Sequence, residues 1–133
     1  MGETLRSYHE QGYLIWILSN QGGLGKGKEA ERLQLQHKVD AVIASLNVPV
    51  DFVCSISKDI MRKPFPGMWD TLAHLRGIGN HMNSEECLYV GDAAGRPAIG
   101  KTRKKDFSAS DLLFAANIGC KVTSHNYYSL LSS

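Results

Sequence analysis

The sequence predicts an α/β fold in which a doubly wound parallel sheet carries helices on both faces. Three observations lead there. Short apolar, β-prone runs alternate along the chain with segments of helical periodicity. The longest of these runs is continuously apolar rather than alternating, as expected of a strand covered on both faces. Two runs end in small polar or acidic residues, Ser19-Asn20-Gln21 and Gly91-Asp92, and ligands bind at that carboxyl edge in open α/β sheets.

Glu3 to Gln11 is expected to form a short helix closed by Gly12. Tyr13-Leu-Ile-Trp-Ile-Leu18 follows as a strand buried on both faces. Gly22 to Gly27 is a flexible loop. Helical periodicity then runs from Lys28 to Leu46 through Ala30, Leu33, Leu35, Val39, Val42, Ile43 and Leu46. Asn47-Val-Pro49 stops it. Val50 to Ser55 reads as a second strand, Arg62 to Gly67 as a basic, turn-rich loop, and Gly67 to Leu75 as a short helix. After a polar connection, Cys87 to Val90 is a short strand bounded by Gly91. A helix from about Ser108 to Asn117 ends at Gly119, Cys120 to Thr123 is a last strand, and Tyr127 to Leu131 a terminal helical turn.

The 133 residues suffice for one domain with a real core. Hydrophobic content of 43% and charged content of 21% fit a soluble globular protein. A net charge of +2 is too small to declare a nucleic-acid binder, so any basic signal must come from clustering. No apolar run approaches the roughly 20 residues of a membrane span, and the N-terminus lacks a signal-peptide pattern. Cys54, Cys87 and Cys120 lack CxxC spacing. An odd count without pairing logic predicts reduced, buried thiols and an intracellular setting.

Each candidate residue has a plain alternative. Ser19-Asn20 ends a strand, either as an ordinary turn or as a hydroxyl and amide aimed at a phosphate oxygen. Lys63 is either a solvated cation or, held extended before Pro64, a side chain reaching inward. Asp92 either closes a strand beside Gly91 or offers a carboxylate to a divalent metal. Asp106 suits the N-cap or first turn of the following helix, and Asp111, one turn on, could be a solvated helix residue. Lys101 to Lys105 reads as a wet basic loop, the commoner case for a charge run. The five histidines show no metal spacing, and Trp69 beside Met68 reads as core. Gly22 to Lys28 fits a phosphate loop only in part, because Glu29 stands where Ser or Thr must touch the metal. Gly95 to Thr102 satisfies every letter of that pattern, but Pro97 removes a backbone donor and no apolar helix follows directly.

Taken together, Ser19-Asn-Gln, Arg62-Lys-Pro…Gly67-Met-Trp69 and Gly91-Asp-Ala-Ala-Gly-Arg96…Lys104-Lys-Asp-Phe-Ser108 resemble the phosphatase domain of the polynucleotide kinase 3′-phosphatase family. That family lies within the haloacid-dehalogenase-like superfamily. The resemblance runs from about Gly12 to the end and implies a three-layer sheet. It gives Ser19, with Asn20 beside it, the place of a hydrogen bond to the transferring phosphoryl, Lys63 that of a charge-balancing cation, and Asp92 that of a Mg²⁺ ligand. Asp111 fits the spacing of the second acid of the metal site, with Asp106 competing for the role. Lys26, Lys28, Arg62, Arg96, Lys101, Arg103, Lys104 and Lys105 would line a groove for a DNA backbone.

The resemblance implies Mg²⁺-dependent hydrolysis of a 3′-phosphate on DNA ends in strand-break repair, through an aspartyl-phosphate. It further implies a nuclear monomer, with repair scaffold proteins as additional partners. One departure is large: the superfamily's Asp-x-Asp-Gly-Thr motif on the first, central strand is absent from the sequence. Residues 1–133 therefore read as a single partial phosphatase domain lacking its first strand, without a kinase domain and without a forkhead-type phosphopeptide module. Such a chain is expected to be inactive alone and marginally stable, because the flanking strands keep unpaired edges. A non-catalytic DNA-end-binding module and a small-metabolite phosphatase are the alternatives.

Overall fold

The computed structural model describes residues 2–78, 87–91, 98, 100–101 and 109–122. These residues form a mixed α/β protein with parallel strand pairing and four α-helices. The chain groups into two compact units, Met1–Lys58 with Tyr128–Ser133 and Asp59–Tyr127. Among the described residues no helix is long and apolar enough to cross a membrane.

In the first unit, α1 (Gly2–Glu10) leads to β1 (Trp16–Asn20), a short 3-10 turn (Gly22–Leu24), α2 (Glu29–Leu46) and β2 (Asp51–Ser55). β1 and β2 pair in parallel from Trp16↔Asp51 to Asn20↔Ser55, which requires a crossover, and α2 supplies it. The ladder continues past both ends, with Asp51 N–H donating to Ile15 O at 3.0 Å and Gln21 N–H to Ser55 O at 2.6 Å. α2 stops at Asn47, which adopts the left-handed conformation at φ 52° and donates its N–H to Ala44 O. Arg6 Nη1 reaches across from α1 to Leu46 O at 2.8 Å.

Three expectations change in this unit. The first strand lies two to three residues further on than the apolar run suggested, so Ser19 and Asn20 belong to the strand itself. Every residue of β1 is half-buried rather than buried on both faces; among the described residues it pairs with β2 alone, and a two-stranded sheet leaves more of each strand uncovered. Leu33 and Val42 of α2 are exposed, while Leu35, Val39, Ile43 and Leu46 recur every three to four residues on the more buried side. The glycine-rich loop is held by Arg32, whose Nη1 donates to Leu24 O at 2.9 Å and Gly25 O at 2.7 Å.

The second unit contains α3 (Gly67–Leu75), β3 (Leu88–Tyr89), α4 (Ser110–Ile118) and β4 (Lys121–Val122). Its buried apolar side chains are Met68, Leu72, Phe114, Ala115 and Cys120. β3 and β4 pair in parallel through Leu88↔Lys121 and Tyr89↔Val122. Cys87 and Cys120 each precede their strand by one residue and are joined by a disulfide with a Cα–Cα distance of 5.4 Å. The expected reduced pair is thus corrected, and the thiol-based argument for an intracellular setting falls with it. A separation of 33 residues hides a pairing that the parallel register makes direct. Cys54 is the free cysteine among the described residues. The four strands form two two-stranded sheets.

Candidate functional site

Lys63 sits in a turn held by its own backbone. The Asp59 carboxylate accepts the Met61 N–H at 2.9 Å, and Gly67 N–H donates to Ile60 O at 3.2 Å. A Cβ on Gly67 would stand 2.5 Å from that same carbonyl oxygen, so only glycine permits the turn to close on α3. The Lys63–Pro64 peptide is cis, and Asn117 Nδ2 of α4 donates to Pro64 O at 2.8 Å. The loop is therefore fastened to both helices of the unit.

From this frame the Lys63 side chain turns inward. Its Nζ lies 2.6 Å from Asp111 Oδ1, with the two side chains only 11% and 6% exposed. The inward alternative for Lys63 is the one observed, and Asp111 is buried rather than solvated. Asp111 stands in the first turn of α4, where the helix dipole favours a negative charge. Tyr89 of β3 donates its O–H to the same Asp111 Oδ1 at 2.7 Å, and its oxygen lies 3.4 Å from Lys63 Nζ. The Tyr89 ring packs on the fully buried Phe114, centroids 5.4 Å apart.

Gly91 completes the arrangement. A Cβ there would lie 2.5 Å from Asp111 Cγ and 2.7 Å from its Oδ2, so the absence of a side chain is what lets the end of the strand approach the carboxylate. An ammonium and a carboxylate removed from water require each other, because either alone would carry an uncompensated desolvation penalty. The result is a cation held at a fixed position with its charge balanced by an acid. That is the chemistry needed to meet a phosphate oxygen reversibly.

The first unit holds Ser19 and Asn20 at the carboxyl end of β1. Ser19 Oγ accepts from Gln21 Nε2 at 2.8 Å. Opposite Asn20, Ser55 is buried and donates its hydroxyl to Ser57 O at 2.9 Å. Cys54 pairs with Ser19 across the strands. Burial pushes its thiol above the ordinary value, which keeps it protonated and a poor nucleophile near neutrality.

Of the basic candidates, Lys26, Lys28 and Lys101 are exposed and Arg62 is half-buried. Lys28 Nζ lies 3.9 Å from Glu31. Asp92, Arg96, Arg103, Lys104, Lys105 and Asp106 lie outside the described residues. Among the described residues no group of three or more His, Cys, Asp or Glu is gathered for a metal ion. Tyr89 carries no role in the sequence reading. Tyr89 looked like an ordinary strand residue, and the hint lay only in its place two positions before Gly91. Nothing in the sequence marked the bond from Gln21 to Ser19.

The family model described as polynucleotide kinase 3 phosphatase matches residues 1–128. An uncharacterised 20.8 kDa protein of Autographa californica nuclear polyhedrosis virus is 40% identical over 114 residues, covering 86% of this chain and 60% of its own. The bifunctional polynucleotide phosphatase/kinase of Schizosaccharomyces pombe is 36% identical over 117 residues, 88% of this chain and 26% of its own. The polynucleotide 3′-phosphatase ZDP of Arabidopsis thaliana is 30% identical over 144 residues, 98% of this chain and 20% of its own. The chain thus spans less than two thirds of each of these relatives.

Proposed function

This chain belongs to the polynucleotide kinase 3′-phosphatase family, and we propose that it recognises the 3′-phosphomonoester of a DNA end in strand-break repair. The observation that carries the reading is the buried Lys63–Asp111 pair, which joins the lysine of the Arg62-Lys-Pro stretch to an acid three residues beyond the stretch that ends at Ser108. In this reading Lys63 donates to a phosphate oxygen while Asp111 holds its ammonium in place. In the first unit, taken by itself, Ser19 and Asn20 place a hydroxyl and an amide at the end of β1. Lys26, Lys28, Arg62 and Lys101, with Arg96, Arg103, Lys104 and Lys105, attract the backbone in a salt-sensitive, sequence-independent way. A nuclear location and repair scaffold partners belong to the same proposal.

Parallel pairing within each unit taken by itself is in keeping with the haloacid-dehalogenase-like, three-layer sheet of this proposal, whose first strand carries the Asp-x-Asp-Gly-Thr motif that this sequence lacks. That strand would carry the aspartate nucleophile. Hydrolysis by this 133-residue chain alone is therefore expected to be negligible, with DNA-end binding as its remaining capacity. When bound, Mg²⁺ would neutralise phosphate charge. The described acids do not fit it by themselves: Asp111 Oδ1 already serves Lys63 and Tyr89, which suits a counter-ion better than a metal ligand. We assign Mg²⁺ to Asp92, with Asp106 as the second acid, and Asp111 to Lys63.

Affinity for a labelled oligonucleotide ending in 3′-phosphate, compared with the same strand ending in 3′-hydroxyl, tests the proposal. Preferential binding of the phosphorylated end, lost in Lys63→Met, is expected, with no phosphate released in Mg²⁺. Equal affinity for the two ends would remove the assignment of Lys63. Turnover abolished by Asp92→Asn would overturn the expected inactivity.

A further inference from the structure

The strand that brings Gly91 to Asp111 also brings Tyr89, and its hydroxyl meets the ion pair at a particular atom. Asp111 Oδ1 accepts from Lys63 Nζ at 2.6 Å and from Tyr89 O–H at 2.7 Å, and the Tyr89 oxygen in turn accepts a longer hydrogen bond from Lys63 Nζ at 3.4 Å. The phenol cannot drift from this position easily, since its ring lies on the fully buried Phe114 and its backbone is paired with Val122.

Two donors on one carboxylate oxygen draw on the lone pairs of the same atom, so each is held less tightly than it would be alone. From this sharing we propose that Tyr89 is a positioning residue for Lys63, and that it sets how far the site prefers a phosphorylated end over a hydroxyl end. With the phenol present, part of the Asp111 charge is taken up by Tyr89, and the ammonium, held less tightly by Asp111, leans more readily towards a phosphate oxygen. With one donor fewer, Asp111 draws the ammonium back and a phosphate must compete harder for it. The inference rests on the reading that Lys63 faces a phosphomonoester.

The test measures dissociation constants for 3′-phosphate and 3′-hydroxyl oligonucleotides with the wild-type chain, Tyr89→Phe, Lys63→Met and the double variant. The ratio of the two constants is the readout, because loss of structure weakens both ends together and leaves the ratio unchanged. Tyr89→Phe is expected to lower the preference for phosphate by about tenfold, the scale of one hydrogen bond to a charged group, while affinity for the hydroxyl end stays the same. In the Lys63→Met background the same change should do nothing to the ratio. Site-specific 3-fluorotyrosine at position 89 keeps the ring in place and strengthens the donor, so it should raise the preference; it also decides the matter if Tyr89→Phe does not fold. A wild-type preference that survives Tyr89→Phe, or a ratio indifferent to fluorination, overturns the role of Tyr89 and leaves the phosphate reading standing. No preference in the wild-type chain overturns both.

Discussion

Breaking the Lys63–Asp111 pair from one side is expected to cost far more than removing it whole. At 2.6 Å the attraction between unit charges is about 6 kcal/mol at an effective dielectric constant near 20. That attraction is set against the desolvation of two side chains that are 11% and 6% exposed. Asp111→Asn preserves shape and an acceptor for Tyr89 but takes the negative charge of Asp111 away from a buried ammonium, a loss of about 3–5 kcal/mol. Lys63→Met removes the ammonium from the buried carboxylate, for a similar loss.

In the double variant Lys63→Met/Asp111→Asn both charges are gone and the phenol keeps its acceptor, so the net change should fall to about 1 kcal/mol. Urea unfolding followed by circular dichroism on the four chains gives the coupling energy directly. Single losses that add in the double variant to within about 0.5 kcal/mol would refute the argument that each charge is present to neutralise the other.

Two further perturbations follow from the geometry. Gly91→Ala places a methyl 2.5 Å from Asp111 Cγ, so a destabilisation of about 1–3 kcal/mol is expected, with phosphate preference lost alongside it; a variant as stable and selective as the parent would contradict the close approach. Before reduction the chain should show one titratable thiol, Cys54, and after reduction three, because Cys87 and Cys120 are paired. Burial raises the Cys54 thiol in the folded state, so the protonated form is favoured there; the associated stability is present below the unfolded thiol's value and is lost as pH rises through the higher folded one. Alkylation of Cys54 that is as fast in the folded chain as in urea at mildly alkaline pH would count against it.

Local pattern carried the helices well. Gly67 to Leu75 emerged with the expected bounds, and α2 began one residue later than its periodicity suggested. Both rest on signals within a few residues: a proline-glycine start, an Asn47 stop, a 3.6-residue repeat. The strands were legible in kind, and β2, β3 and β4 fall inside the expected stretches; the first is shifted because register is set by the partner, Trp16–Asn20 being the stretch that β2 can pair, not the most apolar one. The candidate site divided in the same way. Lys63 was recognisable from its place before Pro64, yet its bond to Asp111 spans 48 residues, and no local rule announces it. Tyr89 was hidden because a tyrosine in a strand is unremarkable until a buried acid faces it. The cysteines were misread for the same reason, since their pairing is a property of two strands and of neither alone.

The Cys87–Cys120 link has a bearing on how this molecule can change over generations. It brackets the stretch that contains Tyr89, the basic run from Lys101 to Lys105, and Asp111. With both ends tied, lengthening the intervening chain to twice its size would cost only about 0.6 kcal/mol of closure entropy. Insertions and deletions in the basic run can therefore accumulate while the acid and the phenol keep their appointment. The basic run, proposed above to meet a nucleic acid, is left open to drift, and the part that holds the lysine is not.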